Sequence, residues 1–197
     1  MNSPTAINSP GFSPLRLTER SSFWQFAAVI LGTVFLALSS HVEVPMVPVP
    51  MTMQTFAVVV IGALYGWRRG GITVVAWLIE AAIGLPVLAS GGLPGILVFT
   101  GNTAGYLVSF PLVAAAVGWL AERGWNGAKP LLAFVAAIAG HVLCLTLGFA
   151  WLSTLIGADQ ALIYGVTPFL VGTVLKSALV AAILYALQRG TVAKSKH

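Results

Sequence analysis

Long apolar runs alternate with short polar segments along this chain. Apolar residues dominate 23–40, 53–67, 71–89, 103–121, 130–152 and 168–188. A helix that crosses a bilayer needs about 17–25 mostly apolar residues. The pattern therefore predicts an all-α membrane protein built as a six-transmembrane-helix bundle. The run 53–67 is short for a crossing, which implies a tilt or a start embedded in protein rather than lipid. Residues 1–22 are polar and rich in Ser, Pro and Asn, and are expected to form a disordered tail. The membrane domain spans 23–189, and 190–197 form a basic C-terminal tail. The first run exceeds the about 7–15 residues of a signal-peptide core. It is therefore kept as a helix, although Ala37-Leu38-Ser39 has the look of a cleavage site.

The segments between the runs carry the breakers and the charges. Pro45, Pro48 and Pro50 forbid a helix through 41–52 and favour extended backbone. Pro86, Gly91, Gly92, Pro94, Gly95 and Gly101 predict an irregular loop. Basic residues fall in the other segments: Arg16 and Arg20, Arg68 and Arg69, Arg123 and Lys129, then Arg189, Lys194 and Lys196. That is nine of the ten Lys and Arg, with none in 41–52, 86–102 or 153–167. Such asymmetry marks the cytoplasmic side. Both termini are expected there, with the Pro- and Gly-rich loops facing outward. Gly62, Gly66 and Gly70 recur every four residues, as do Gly101 and Gly105. These small residues, with Ala28 and Gly32 on the first helix, predict close helix contacts in lipid. No inverted repeat is visible, which argues against a standard secondary transporter.

Composition narrows the class further. Hydrophobic residues make up 58% of the 197 and charged residues 8%, against about 45–50% and about 25% in a soluble domain. Mean hydropathy is +0.94. Five acids and ten Lys and Arg cannot clothe a water-facing globule of this size. An ordinary soluble enzyme, a disordered chain and a disulfide scaffold are excluded. The net charge of +5 would imply nucleic acid in a soluble protein, but the charges are dispersed and no RNA-binding motif occurs. The single Cys144 allows neither an intrachain disulfide nor a thiolate metal cage. It reads as a small buried hydrophobe, and no metal site is expected.

Lys176 is the tenth basic residue, and it lies inside the sixth run among Val174, Leu175, Ala178 and Leu179. A charge near the bilayer centre costs about 2.5–3.5 kcal/mol on insertion scales. Lys176 should therefore face the bundle interior, either against a ligand in an outward cavity or in a structural pair. Glu80 is the only acid inside an apolar run, and pairing it with Lys176 would reduce two desolvation penalties. Thr173, three residues before Lys176, shares its helix face, and His141 could join the network or pack as an ordinary buried histidine. Thr52 and Gln54 follow the proline-rich segment; Asn102, Thr103 and Tyr106 open the fourth run. Free N–H groups at helix starts and amide side chains suit a neutral, amide-like solute. Trp77, Trp119 and Trp151 fit an interfacial belt or a ring-stacking role. No phosphate loop, H-E-x-x-H or G-x-S-x-G occurs, so no cofactor is expected and any ATP hydrolysis belongs to another subunit.

Val47-Pro48-Val49-Pro50-Met51-Thr52-Met53-Gln54-Thr55-Phe56 resembles the P-V-P-x-T-x-Q-x-F signature of the BioY family. Members are biotin-specific S components of energy-coupling-factor (ECF) transporters. Gly84-Leu85-Pro86-Val87 with Gly91-Gly92 is similar to G-L-P-V-F-x-G-G. Gly101-Asn102-Thr103-Ala104-Gly105-Tyr106-Leu107 is similar to G-P-T-G-G-Y-L, and Pro168-Phe169-Leu170 through Lys176 to P-F-x-x-G-D-x-x-K. The matches fall in family order over roughly 25–187.

The resemblance implies six helices, an outward site capped by the first loop, and tight capture of biotin as transported substrate rather than enzymatic turnover. It places the protein in the bacterial cytoplasmic (inner) membrane as a multi-pass subunit. Its partners would be a transmembrane coupling subunit and ATPase subunits, with action alone as the other mode. It makes the first helix the docking face, with Ala28 and Gly32 as its candidates. It makes Thr52, Gln54, Glu80, Asn102, Thr103, Tyr106, Thr173 and Lys176 the candidate substrate-binding residues. Two positions depart from the pattern: Thr173 stands where the family has Asp, and Asn102 where it has Pro. Either Glu80 replaces the missing acid or Lys176 leans more on ligand. The rival readings are an S component for another small vitamin, an intramembrane enzyme using Glu80 and His141, and a structural subunit.

Overall fold

The computed structural model describes residues 21–89 and 95–194. The predicted tail with Arg16 and Arg20, the loop residues Gly91, Gly92 and Pro94, and Lys196 lie outside the described residues. Helix α1 runs Ser22–Ser40 and leads into a two-stranded antiparallel ribbon, β1 Glu43–Val44 and β2 Met51–Thr52, with Glu43 opposite Thr52. Helix α2 covers Gln54–Ala82 and a 3-10 helix covers Gly95–Thr100. Then follow α3 Ala104–Glu122, α4 Pro130–Ile156, α5 Ala158–Gly165 and α6 Phe169–Lys194. Five of these, α1 to α4 and α6, are long and apolar enough to cross a membrane.

Two predicted helices, 53–67 and 71–89, correspond to α2. At Gly66 the backbone leaves helical geometry, with φ +79° and ψ 173°, a conformation open to glycine and costly for other residues. A Cβ on Gly70 would stand 2.9 Å from Gly62 Cα. Eight residues of straight helix would separate these positions by about 12 Å, so α2 doubles back at Gly66 into two packed arms. The Glu122 carboxylate accepts a hydrogen bond from Trp67 N–H at 3.1 Å, satisfying a donor left free at the start of the second arm. That arm stops at Ala82 rather than 89, because Gly84 takes φ +93° and Pro86 follows. The expected outer segment 153–167 is mostly helical. Gly157 ends α4, and α5 starts at once with Asp159 in its first turn, where a carboxylate meets the positive end of the helix dipole. The ribbon is a small β addition to the all-α expectation. Its position fits the proline-rich stretch, which cannot continue a helix.

Glycines set the closest approaches. A Cβ on Gly62 would meet the Ala114 carbonyl of α3 at 2.5 Å, and one on Gly118 would meet Trp67 N at 2.5 Å. The stripe Gly62, Gly66, Gly70 thus serves contact within α2 and between α2 and α3. Helix α1 uses Gly32 in the same way, so Gly32 lacks the open surface expected of a docking residue. Gly32 is buried, with Thr73 Cγ2 at 2.6 Å from its Cβ position, and the Ala28 carbonyl accepts a hydrogen bond from Tyr65 O–H at 2.9 Å. Gly32 faces α2 and offers no open surface to a partner, whereas Ala28 is half-buried and makes its contact through the backbone. Hydroxyls inside the bundle are satisfied locally, as where Thr73 donates to the Arg69 carbonyl at 2.9 Å and Ser109 to the Tyr106 carbonyl at 2.6 Å.

The two ends of the bundle differ in kind. The Glu122–Trp67 contact joins the α2 reversal to the end of α3, and Gly127 packs on Leu184 and Gln188 of α6. Arg68, Arg69, Arg123, Lys129 and Arg189 therefore share one end. Three of these lie over rings: Arg68 at 4.9 Å from Trp67, Arg123 at 3.4 Å from Trp119, and Arg189 at 5.5 Å from Tyr185. The ribbon, the 3-10 helix and α5 gather at the other end. Trp119 is 46% exposed and Trp151 36%, as a belt would have them, whereas Trp77 is fully buried and stacked on Phe110 at 6.1 Å.

Backbone contact at Gly62 makes a strong prediction. Gly62→Val has no flexible neighbour to displace, so it is expected to cost about 1–3 kcal/mol or more and to lower the thermal midpoint of the detergent-solubilised protein. Gly190→Ala, whose added Cβ meets nothing within 4 Å, is expected to leave the midpoint unchanged or raise it. Equal midpoints for the two variants would contradict the packing described.

Candidate functional site

Between the ribbon and the middle of the bundle lies a cavity of about 350 Å³. That is within the about 300–1,000 Å³ typical of small-molecule sites. Its walls come from the ribbon and the start of α2, the loop after Pro86, the start of α3, the middle of α4 and the first two turns of α6. Phe110, Cys144 and Phe169 supply apolar surface, and Thr52, Thr173 and Lys176 supply polar groups.

Lys176 lies at the centre of this arrangement. Its ammonium donates to the Thr52 carbonyl at 2.6 Å and to Thr55 Oγ1 at 3.2 Å. The chain therefore ties α6 to the ribbon across more than half its length. An ammonium carries three donors, and two are used here among the described residues. Thr52 Oγ1 also accepts the Gln54 backbone N–H at 3.3 Å, closing the entry to α2. The Gln54 side chain donates to Ser40 Oγ at 2.8 Å, and Ser40 Oγ accepts a second bond from Ala89 N–H. The end of α1, the start of α2 and the segment after Pro86 are thus pinned at one hydroxyl. Trp77 adds a further pin, donating from Nε1 to the Val87 carbonyl at 3.1 Å.

The opposite wall is held by Tyr106. Its hydroxyl donates to the Gly165 carbonyl of α5 at 2.8 Å, and its ring stacks on Phe169 at 6.4 Å. The ring sits where a side chain on Gly148 would be. Trp151 Nε1 donates to the Gly101 carbonyl at 2.9 Å and fixes the approach to α3. Asn102 is exposed at the rim, and Thr103 follows it as the residue before α3.

Seven of the eight sequence-derived candidates line the cavity: Thr52, Gln54, Asn102, Thr103, Tyr106, Thr173 and Lys176. Glu80 does not, and the expected Glu80–Lys176 pair does not form. Ile72, Ala76 and Glu80 recur every four residues on the second arm of α2. Ile72 is exposed and Glu80 half-buried, whereas Trp77 and Ala81 turn inward. The partners of Lys176 are a carbonyl and a hydroxyl instead. Sequence reading missed Thr55 and Ser40. Thr55 stands one turn from Thr52 at a helix start, a spacing that aligns the two on one side. Ser40 carried no signal, since a serine at the end of an apolar run has many uses. His141 lines the cavity from α4, with Nδ1 at 2.8 Å from the Ala137 carbonyl and 3.1 Å from Ser177 Oγ.

The BioY family model matches residues 15–192. The biotin transporter BioY of Rhizobium etli is 39% identical over 167 residues, covering 81% of this chain and 86% of the relative. A probable biotin transporter BioY of Pyrococcus horikoshii is 33% identical over 168 residues, covering 83% and 97%. The fold matches the crystal structure of the S-component for biotin from an ECF-type ABC transporter with a TM-score of 0.74, at 23% identity over 86% of this chain and 95% of that one. From the extent of the family match and the identity to these relatives, the chain belongs to the BioY family.

Proposed function

We propose that this protein is the biotin-binding membrane subunit of an uptake system, and that biotin occupies the cavity beneath the ribbon. The observation that carries this reading is Lys176, an ammonium deep in an apolar bundle that faces a cavity of ligand size and, among the described residues, keeps one donor beyond its two protein partners. Biotin has the complementary chemistry: a ureido ring for amide-type partners, an apolar thioether ring, and a carboxylate. Thr52, Gln54, Asn102, Thr103, Tyr106, Thr173 and Lys176 are its proposed contacts. The protein acts as a transporter component and not as an enzyme. A separate transmembrane coupling subunit with ATPases is the proposed source of energy, since the chain carries no phosphate loop of its own.

The same reading includes six crossings, with the two arms of α2 counted separately, and both termini in the cytoplasm of a bacterial inner membrane. The shared basic end supports this orientation. In a Cys144→Ser background, Val47→Cys on the ribbon loop is expected to react with an impermeant maleimide in intact cells. Ala128→Cys, at the basic end, is expected to react only after permeabilisation. The reverse labelling pattern would invert the topology.

Purified protein is expected to bind biotin with sub-micromolar affinity, measured by titration calorimetry. Folded material without such binding would reject the proposal. Lys176→Ala removes a charge-assisted contact and is expected to weaken binding by about 2 kcal/mol or more; an unchanged affinity would put Lys176 outside the site. A second reading, another small vitamin as substrate, is favoured by Thr173 and Asn102, which depart from the family pattern. Competition of other vitamins against labelled biotin separates the two.

A further inference from the structure

Ser40 closes α1 and is fully buried, and its side chain stands behind the cavity wall rather than on it. Its hydroxyl oxygen receives Gln54 Nε2–H at 2.8 Å and also the Ala89 N–H. Both donors belong to residues that line the cavity. A hydroxyl oxygen has two acceptor sites, and these two bonds fill them. The Ala89 N–H can only donate, which commits one site to it. The other site takes the NH2 end of the Gln54 amide. The backbone of Gln54 is held as well, by its N–H on Thr52 Oγ1 at 3.3 Å. An amide group is planar, so tying Nε2 to Ser40 also sets where Oε1 stands. Among the described residues Oε1 meets no donor, and the buried side-chain atom left unpaired there is His141 Nε2, not Gln54 Oε1. Gln54 is 8% exposed, and Oε1 belongs to that open part, on a residue of the cavity wall.

We infer that Ser40 is a positioning residue for ligand binding: it holds the Gln54 side chain so that Oε1 stands at the cavity as a ready hydrogen-bond acceptor. This rests on the proposed biotin site and adds a residue that touches no ligand. A glutamine side chain has several rotatable bonds, and ordering it at the moment of binding would cost affinity. The bond to Ser40 orders it beforehand. An acceptor takes a donor, and in biotin the N–H groups are those of the cyclic urea. The carboxylate has only acceptor oxygens, which Oε1 would repel. Gln54 therefore meets the ureido end of the ligand. The Ala89 N–H on the same hydroxyl ties the segment after Pro86 to this arrangement, so the end of α1 sets two pieces of the cavity wall at once.

The test is a double-mutant cycle on detergent-purified full-length protein, with biotin affinity read by titration calorimetry and the thermal midpoint read beside it. Ser40→Ala removes the hydroxyl, and Gln54→Met keeps the length of the side chain without its amide. Ser40→Ala is expected to weaken biotin binding at least about fivefold and Gln54→Met at least about tenfold, in the range of a lost hydrogen bond. The double variant is expected to bind within about twofold of Gln54→Met alone, because Ser40 acts through Gln54 and not independently. A smaller loss for either single variant would overturn the assignment, and so would a lowered midpoint in Ser40→Ala with affinity unchanged, the mark of a merely structural role. A double variant outside the twofold range would overturn it too, since the hydroxyl would then act by another route, such as Ala89. If Ser40→Ala does not elute as a folded, monodisperse species, Ser40→Cys, which puts a poor acceptor in the same space, is measured against the same thresholds. Wild-type protein that does not bind biotin overturns the proposed function itself, a result visible without any variant.

Discussion

An ammonium group in hydrocarbon has to be satisfied by its own protein, and in this bundle that demand organises the outer half. The Lys176 side chain reaches from α6 to the Thr52 carbonyl and the Thr55 hydroxyl. Thr52 can offer its carbonyl because Pro45, Pro48 and Pro50 keep the preceding segment out of a helix. The proline-rich stretch pairs as a ribbon and delivers a backbone acceptor to the one cation inside the apolar runs. Insertion scales put the cost of such a charge at about 2.5–3.5 kcal/mol, and two hydrogen bonds from the ammonium, the shorter at 2.6 Å, are the compensation. The same contact that stabilises the charge holds the ribbon over the cavity.

That contact depends on the positions of α2 and α6, and these in turn depend on absent side chains. Apolar burial gives little drive to helix association in lipid, so van der Waals packing has to do it. Gly62, Gly70 and Gly118 let the two arms of α2 and α3 meet at backbone distance. The doubled α2 then becomes a rigid wedge. One arm starts at Gln54, bonded to Ser40, and the other carries Trp77, bonded to the Val87 carbonyl. Both ends of the wedge that approach the cavity are tied to neighbouring segments, so the wall they form is preorganised rather than assembled on binding.

Hydropathy and punctuation made much of this legible. The long apolar helices, read as six runs because the two arms of α2 count separately, the basic end and the interior position of Lys176 follow from run length, charge placement and the cost of a buried cation. Three of the four motifs hold the seven candidates that line the cavity, because each of the three sits at a helix start or in a turn of α6 that faces it. Rotational detail was not legible. Helix periodicity in an all-apolar run carries almost no signal for which side faces in, and a step of one residue turns a side chain by about 100°. For that reason the pattern did not show that Glu80 lies away from the cavity and that Gly32 is buried. Charge complementarity pointed Glu80 at Lys176, and the family resemblance put Gly32 on a docking face, while the structure leaves the first half-buried away from the cavity and the second packed inward. The reversal at Gly66 was hidden too, since helices normally reverse through a loop with turn residues. Here a single glycine at φ +79° does it without one. Helix α5 escaped because eight residues are too few for periodicity to emerge.

Tyr106 shows why fold and site cannot be treated as separate problems here. Its ring fills space that any side chain on Gly148 would take, and its hydroxyl binds the Gly165 carbonyl, where a side chain would also collide. Two glycines on α4 and α5 thus fix one aromatic wall of the cavity. A bulkier residue at either would push the ring toward Phe169 and the ligand space, although neither glycine borders the cavity itself. The shape offered to a ligand is set by residues one layer behind the surface it touches. The residues in contact supply donors and acceptors, and the small residues behind them decide where those groups stand.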